Sequence, residues 1–250
     1  MPELSLELVS FLFAIALLAG MIDTLAGGGG LLTLPALIVS GLPPLAALAT
    51  NKLQASMGTA TATYMMLKHK RVAWQQIRPL MLAAFIGSVI GTIIIQFLDT
   101  QFLSWLIPVV LFVIAIYFVF AKAPHEPDRP HKVSDNTYRR FILPVIGAYD
   151  GMFGPGTGSF FGLAGVSLKG QGLLEATATA KTLNFATNIA SLIVFIFAGH
   201  IAWLLGAVMM LGQLIGAWLG SHFLFRVNPT HLRYLVALMC LAMLAKYLLQ

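Results

Sequence analysis

From Leu6 to Leu249 the chain is a succession of apolar runs, separated by short connections that carry most of its charge. The runs match the ~20 mostly apolar residues that a helix needs to cross a bilayer, and no soluble core is large enough to hide all of them. Of 250 residues, 58% are apolar and 10% charged, whereas about a quarter of an ordinary soluble domain is charged. Lipid is therefore the expected solvent, and an all-α, polytopic integral membrane protein is the expected fold class. The opening Met-Pro-Glu-Leu-Ser-Leu-Glu is acidic where a secretory signal peptide is basic, so the first run is expected to be retained as structure.

Spanning helices are expected at about 48 to 67, 78 to 97, 102 to 120, 174 to 198, 203 to 222 and 232 to 249. Two further apolar stretches, 6 to 40 and 140 to 167, are interrupted by glycine. The first contains Gly27-Gly28-Gly29-Gly30 and the second Gly154-Pro155-Gly156-Thr157-Gly158. Neither tract continues a helix cheaply, because glycine loses more backbone freedom on ordering than any other residue. Each stretch is expected to be two helices meeting at a break near the membrane midplane, with Pro35 and Pro144 as further irregularities.

The two halves of the chain also match each other. Asp23, Gly27 and Gly29 precede Asp150, Gly154 and Gly156 by 127 residues, and Leu53-Gln54 precedes Leu183-Asn184 by 130. Val72-Ala73-Trp74 precedes Ile201-Ala202-Trp203 by 129, and the pair Gly87/Gly91 precedes Gly212/Gly216 by 125. A collinear series at nearly constant offset reads as a duplication: a first transmembrane repeat over 1–121, a linker over 122–138 and a second repeat over 139–250. Positive charge sets the orientation. Lys68, Lys70, Arg71 and Arg78 mark one cytoplasmic connection, and Lys122, Arg129, Lys132, Arg139 and Arg140 mark another. The second-half counterpart of the first connection, near Gly199-His200, has no Lys or Arg, while the counterpart of the turn at Asp99 carries Arg226 and Arg233. Equivalent loops thus fall on opposite faces, as in inverted-topology repeats, whose substrate sites lie at the repeat interface near broken helices. Both termini are expected on the non-cytoplasmic side. The linker, with Pro124, Pro127 and Pro130, reads as a plain tether.

Ionisable groups inside a bilayer are costly, and each is a functional candidate. Asp150 lies ~15 Å along a helix from Arg140, close to mid-membrane, and Asp23 is its counterpart. Capping of a helix end is one reading of the two acids; carrying a proton is the other. Lys52 lies ~24 Å along a helix from Lys68, beside Asn51 and Gln54, and Lys181 precedes Asn184 and Asn188. Lysines near a helix end snorkel to the interface in the bland case. In the functional case they join the amides in an anion site. Helix N-termini expose unpaired N–H groups with partial positive charge, and glycine admits an anion close to them. The candidate substrate-binding set is therefore Gly27, Gly28, Gly29, Asn51, Lys52, Gln54, Gly154, Gly156, Thr157, Lys181, Asn184 and Asn188, with Asp23 and Asp150 as proton-coupling candidates. Gly87/Gly91 and Gly212/Gly216 are GxxxG pairs that read as close helix packing. Trp74, Trp203 and Tyr234 read as interfacial anchors.

Other function classes fit poorly. The net charge of +6 resides in short clusters between apolar runs, so nucleic acid is not an expected partner. Neither glycine tract ends in the Gly-Lys-Ser/Thr of a phosphate loop, so no nucleotide or other cofactor is expected. The single cysteine, Cys240, leaves no zinc cluster, and His69, His125, His131, His200, His222 and His231 fall in loops or at span ends, which argues against an embedded enzyme. An anion channel and a structural subunit of a larger complex are the alternatives; a homodimer is compatible with either. The motif AGGGGLLTLPAL at 26–37, TNKLQ at 50–54, and the series from Asp150 through Lys181-Thr-Leu-Asn184 to Asn188 resemble the sulfite exporter TauE/SafE family. The resemblance covers most of the chain. It implies an inner-membrane permease with duplicated halves that exports sulfite, a sulfonate or a related sulfur-containing organic anion, with protons as a candidate coupling ion.

Overall fold

The computed structural model describes residues 5–26, 28–120, 132–223 and 229–249. The described chain is helical: α1 (Leu6–Ala26), α2 (Gly30–Val39), α3 (Pro44–Lys68), α4 (Trp74–Gln96), α5 (Thr100–Phe120), α6 (Asp135–Thr137), α7 (Leu143–Met152), α8 (Thr157–Lys169), α9 (Leu173–Ala198), α10 (Trp203–Phe223) and α11 (Pro229–Leu248). A π-helical stretch, Tyr138–Ile142, leads into α7. Among the described residues five helices are long and apolar enough to cross a membrane, over Leu6–Asp23, Trp74–Gln96, Thr100–Tyr117, Leu173–Ala198 and Trp203–Gly220. Their outer faces carry the large apolar side chains, among them Leu82, Ile86 and Ile90 on α4 and Trp105, Phe112 and Val113 on α5. Such exposure is favourable against lipid and unfavourable against water.

Two expected spans differ from this pattern. Residues 48–67 fall within α3, which is long enough but too polar to count among the apolar crossings. The reason is visible in its burial: Thr50, Asn51, Lys52, Gln54, Ser56, Thr59 and Thr63 are all enclosed by protein. The last expected span, 232–249, lies on α11, whose apolar described part is the shorter Val236–Leu248.

Both glycine tracts coincide with helix ends. Between α1 and α2, Gly28 has φ 99°, and between α7 and α8, Gly154 and Gly156 have φ 96° and 82°. These left-handed values cost a Cβ-bearing residue roughly 1–2 kcal/mol, so the chain turns where glycine permits it. The tether is more structured at its end than expected. Ser134 caps α6 by accepting from the N–H of Thr137, Lys132 N–H donates to the Leu168 carbonyl, and Lys169 at the end of α8 pairs with Asp135. Its residues 122–131, including the three prolines, lie outside the described residues.

By contact the chain divides into two compact units. One comprises Met1–Gly58, Leu98–Ala121 and Phe195–Gln250; the other comprises Thr59–Phe97 and Lys122–Val194. Within the first unit α1 packs along α10, and within the second α4 packs along α7. Both pairings are backbone to backbone. A Cβ at Gly216 would fall on the Leu17 carbonyl and one at Gly220 would lie 2.8 Å from the Met21 oxygen. In the second unit a Cβ at Gly87 would fall on the Pro144 carbonyl and one at Gly91 on that of Ala148. The reciprocal contacts run from Gly20 to the Gln213 carbonyl and from Gly147 to that of Ala84. These contacts align Gly87 with Gly216 and Gly91 with Gly220, an offset of 129 residues. That is one helical turn beyond the pairing with Gly212 and Gly216 read from the sequence, and it equals the offset of Trp74 and Trp203.

Candidate functional site

In the first unit the polar chemistry gathers where α2 begins. α3 starts at Pro44, whose fixed φ suits the first helical turn, and it brings Asn51, Lys52 and Gln54 inside at 4%, 1% and 2% exposure. Thr33, one turn into α2, donates to Asn51 Oδ1 at 2.6 Å and also lies 3.3 Å from the Gly29 carbonyl. Gln54 Nε2 donates to the same Asn51 Oδ1 at 3.0 Å and to Thr33 Oγ1 at 3.3 Å. Gly29, the N-cap of α2, has no side chain to cap the helix, and a Cβ there would lie 2.8 Å from the Ala19 carbonyl of α1. Its N–H instead reaches Asp23 Oδ1 at 3.4 Å. The half-buried Asp23 thus bridges the break from α1. Gly27 lies outside the described residues.

The second unit holds its break differently. Tyr149 on α7 donates its hydroxyl to the Pro155 carbonyl at 2.6 Å, and its ring meets Phe160 of α8 edge-on with centroids 5.2 Å apart. Thr157 donates to the Gly154 carbonyl at 2.7 Å, and Gly156 starts α8 with no side-chain cap. Asn184 on α9 lies against this helix start: its Nδ2 is 3.7 Å from where a Gly158 Cβ would be. Asn188 Nδ2 lies 3.4 Å from Asn184 Oδ1, and Lys181 is half-buried on the same helix. Asp150 is 1% exposed. Next to it in sequence, the Gly151 carbonyl accepts from Thr92 Oγ1 at 3.0 Å. Thr92 and Ser88 of α4 in turn meet Ser191 of α9 at 2.9 and 2.8 Å, and Ser88 Oγ donates to the Thr187 carbonyl at 2.8 Å. α4, α7 and α9 are thereby tied together beside the buried carboxylate.

Each unit thus has a helix start with partial positive charge, although its first N–H groups are partly taken: Leu31 and Leu32 donate back to the Gly28 and Gly29 carbonyls, and Thr157 and Ser159 to those of Gly154 and Gly156. Lys52 adds a positive charge shielded from water, where its attraction for an anion is least screened. Several contributors were not anticipated from the sequence. Thr33 sits in an apolar heptad of leucines and could be noticed only as its lone hydroxyl. Gln213 is the one amide in an apolar helix and was a legible signal; it is 4% exposed. Ser88, Thr92 and Ser191 carry no pattern, because small hydroxyls in membrane helices commonly bond to their own helix backbone. Gly206 accommodates Leu53, and Thr50 Oγ1 accepts from the N–H of Ala202, so α10 begins against α3.

The model of the family described as sulfite exporter TauE/SafE matches residues 12–247. A probable membrane transporter protein of Haemophilus influenzae is 39% identical over 244 residues, covering 98% of this chain and 96% of its own. The probable membrane transporter protein ORF9 of a Sinorhizobium species is 38% identical over 248 residues, covering 99% and 95%. The probable membrane transporter protein YfcA of Escherichia coli K12 is 39% identical over 241 residues, covering 96% and 90%. No solved structure matches the chain. Near-complete coverage at this identity, on an all-helical chain with five apolar crossings and polar groups turned inward, means that the chain belongs to the sulfite exporter TauE/SafE family and is a multi-pass membrane transporter of the inner membrane.

Proposed function

We propose that the protein is a secondary transporter of a small anion, sulfite or a sulfonate, coupled to protons. The observation that carries this reading is Lys52, 1% exposed on the polar face of α3 and flanked by Asn51 and Gln54. Enclosing an ammonium costs several kcal/mol of hydration (about that order after relaxation), a cost that selection retains where the charge has a task. An anion with two or three oxygens suits a site made of one ammonium, amide groups and the positive end of a helix, because each oxygen accepts several hydrogen bonds. The family's name points to the same cargo. Asp150, enclosed beside the second break, is the residue proposed to carry the proton, with Asp23 as the secondary candidate.

The mirrored packing of α1 on α10 and of α4 on α7, at offsets of 127 residues between α1 and α7 and 129 between α4 and α10, supports duplicated halves over 1–121 and 139–250, and the loop charges support their inverted orientation. In such transporters the site stays near the midplane while access alternates around it. The test is flux of radiolabelled sulfite in proteoliposomes of the purified protein, with and without a pH gradient. Flux that follows the gradient supports the reading; sulfite and small sulfonates that neither move nor bind would remove it.

A further inference from the structure

Gln54 and Gln213 are buried amides on α3 and α10 of the first unit. The Thr33 Oγ1 to Asn51 Oδ1 distance of 2.6 Å is that of a hydroxyl on an oxygen and too short for an amide nitrogen, so Asn51 presents its oxygen to Thr33. That oxygen also lies 3.0 Å from Gln54, which must therefore present its NH₂. The orientation of Gln54 is thereby set, and its Oε1 is left over: no protein group among the described residues donates to it. Gln213 Oε1 also has no donor among the described residues. Gln213 of α10 reaches the face of α3 that carries Gln54. Asn51, Gln54 and Gly58 follow at spacings of three and four, which stacks them along a helix, and a Cβ at Gly58 would lie 2.9 Å from Gln213 Nε2. Gly58 thus leaves the room that the head of Gln213 occupies.

A buried carbonyl oxygen without a donor is destabilising by the desolvation it has lost. The same molecule contains the comparison that shows the fold does not require it. At the offset of 129 that the glycine contacts set between α4 and α10, Gln213 corresponds to Ala84. That counterpart is fully buried in an apolar cluster. The equivalent position therefore packs well without an amide.

We infer that the molecule this site takes carries a hydrogen-bond donor as well as its negative charge, as a protonated oxyanion or a hydroxyalkyl sulfonate does, and that Gln54 and Gln213 accept from that donor. The inference rests on the anion-transport reading and narrows it. Lys52, buried two residues before Gln54 along α3, is the positive charge of the anion reading, and the glutamine oxygens answer the donor. A site built to bond a hydroxyl discriminates strongly against an isostere that lacks it, since its own polar groups are then left unmatched.

Isethionate and propane-1-sulfonate form the test pair, having equal charge and nearly equal shape, with a hydroxyl in one where the other has a methyl. Binding of each to the purified full-length protein is read from ligand-dependent thermal stabilisation, and each is used to inhibit sulfite flux. The expected result is a preference for isethionate of about tenfold or more, falling towards one in Gln213→Leu. Gln54→Leu should lose the preference too, but it also breaks the bonds to Asn51 and Thr33. The ratio in Gln213→Leu therefore decides, because no described protein bond is lost there. Equal affinity for the two sulfonates would overturn the inference while leaving anion transport intact. An undiminished preference in Gln213→Leu would remove that residue from the site. Strict dependence of flux on sodium, with the Gln213→Leu change altering sodium activation and not the ratio, would overturn it in favour of a cation on these oxygens. If neither sulfonate nor sulfite binds, the anion reading falls and the inference with it.

Discussion

Replacing Gly87 by alanine tests the backbone contact that holds α7, and with it Asp150, against α4. The added Cβ would lie 2.7 Å from both the Cα and the carbonyl carbon of Pro144 and closer still to its oxygen. The obstacle is backbone, so no flexible side chain can give way. Carbon atoms rest at about 3.5–4.0 Å, which means the two helices must part by about 1 Å or tilt. Overpacking of this kind costs ~1–3 kcal/mol, and alanine returns up to ~1 kcal/mol through its helix propensity. A net loss of ~1–2 kcal/mol corresponds to a fall in Tm of ~2–8 °C for a chain of this size. The assay is thermal unfolding in detergent followed by size exclusion, with Gly172→Ala as the internal comparison, since a Cβ at Gly172 meets nothing within 4 Å. Gly172→Ala should be neutral or slightly stabilising. A Gly87→Ala protein as stable as wild type would refute the close approach of α4 and α7.

Three further outcomes are expected. Lys52→Met should weaken sulfite binding by about tenfold or more, because hydrogen bonds to charged groups are worth ~1.5–3 kcal/mol; Lys181→Met should do less, as Lys181 is only half-buried. Unchanged flux in both single variants and in the double variant would take the lysines out of the mechanism. Asp150→Asn should abolish the response of flux to a pH gradient while leaving sulfite exchange measurable, and a normal gradient response in that variant would exclude Asp150 as the proton carrier. Topology reporters fused at either terminus should both report the non-cytoplasmic face; opposite faces would contradict an even number of crossings.

Membership of a membrane family and the position of the glycine tracts were legible from the residues because they depend on local chemistry. Apolar runs partition into lipid whatever surrounds them, and glycine marks the places where a helix is cheap to end, as at Gly28 and Gly154. Asn51, Lys52 and Gln54 could be nominated because polar groups in an apolar setting are conspicuous. The expected break at Gly154 was visible, but the hydroxyl of Tyr149 that fastens it to Pro155 was not, since a tyrosine in an apolar run looks like any other aromatic.

The sequence by itself determined the solvent, the helical class and the inventory of costly buried groups, all of which follow from the free energy of single segments. Tertiary structure decided which helices are neighbours. α1 lies on α10 and α4 on α7, so each compact unit draws elements from both halves of the chain. It also decided the register of Gly87 on Gly216 and which polar atoms find partners: among the described residues Asn51 Oδ1 receives two donors and Gln54 Oε1 receives none. Pairing across long sequence separations depends on the fit of whole surfaces. A glycine or a glutamine carries no mark of the backbone that will lie against it.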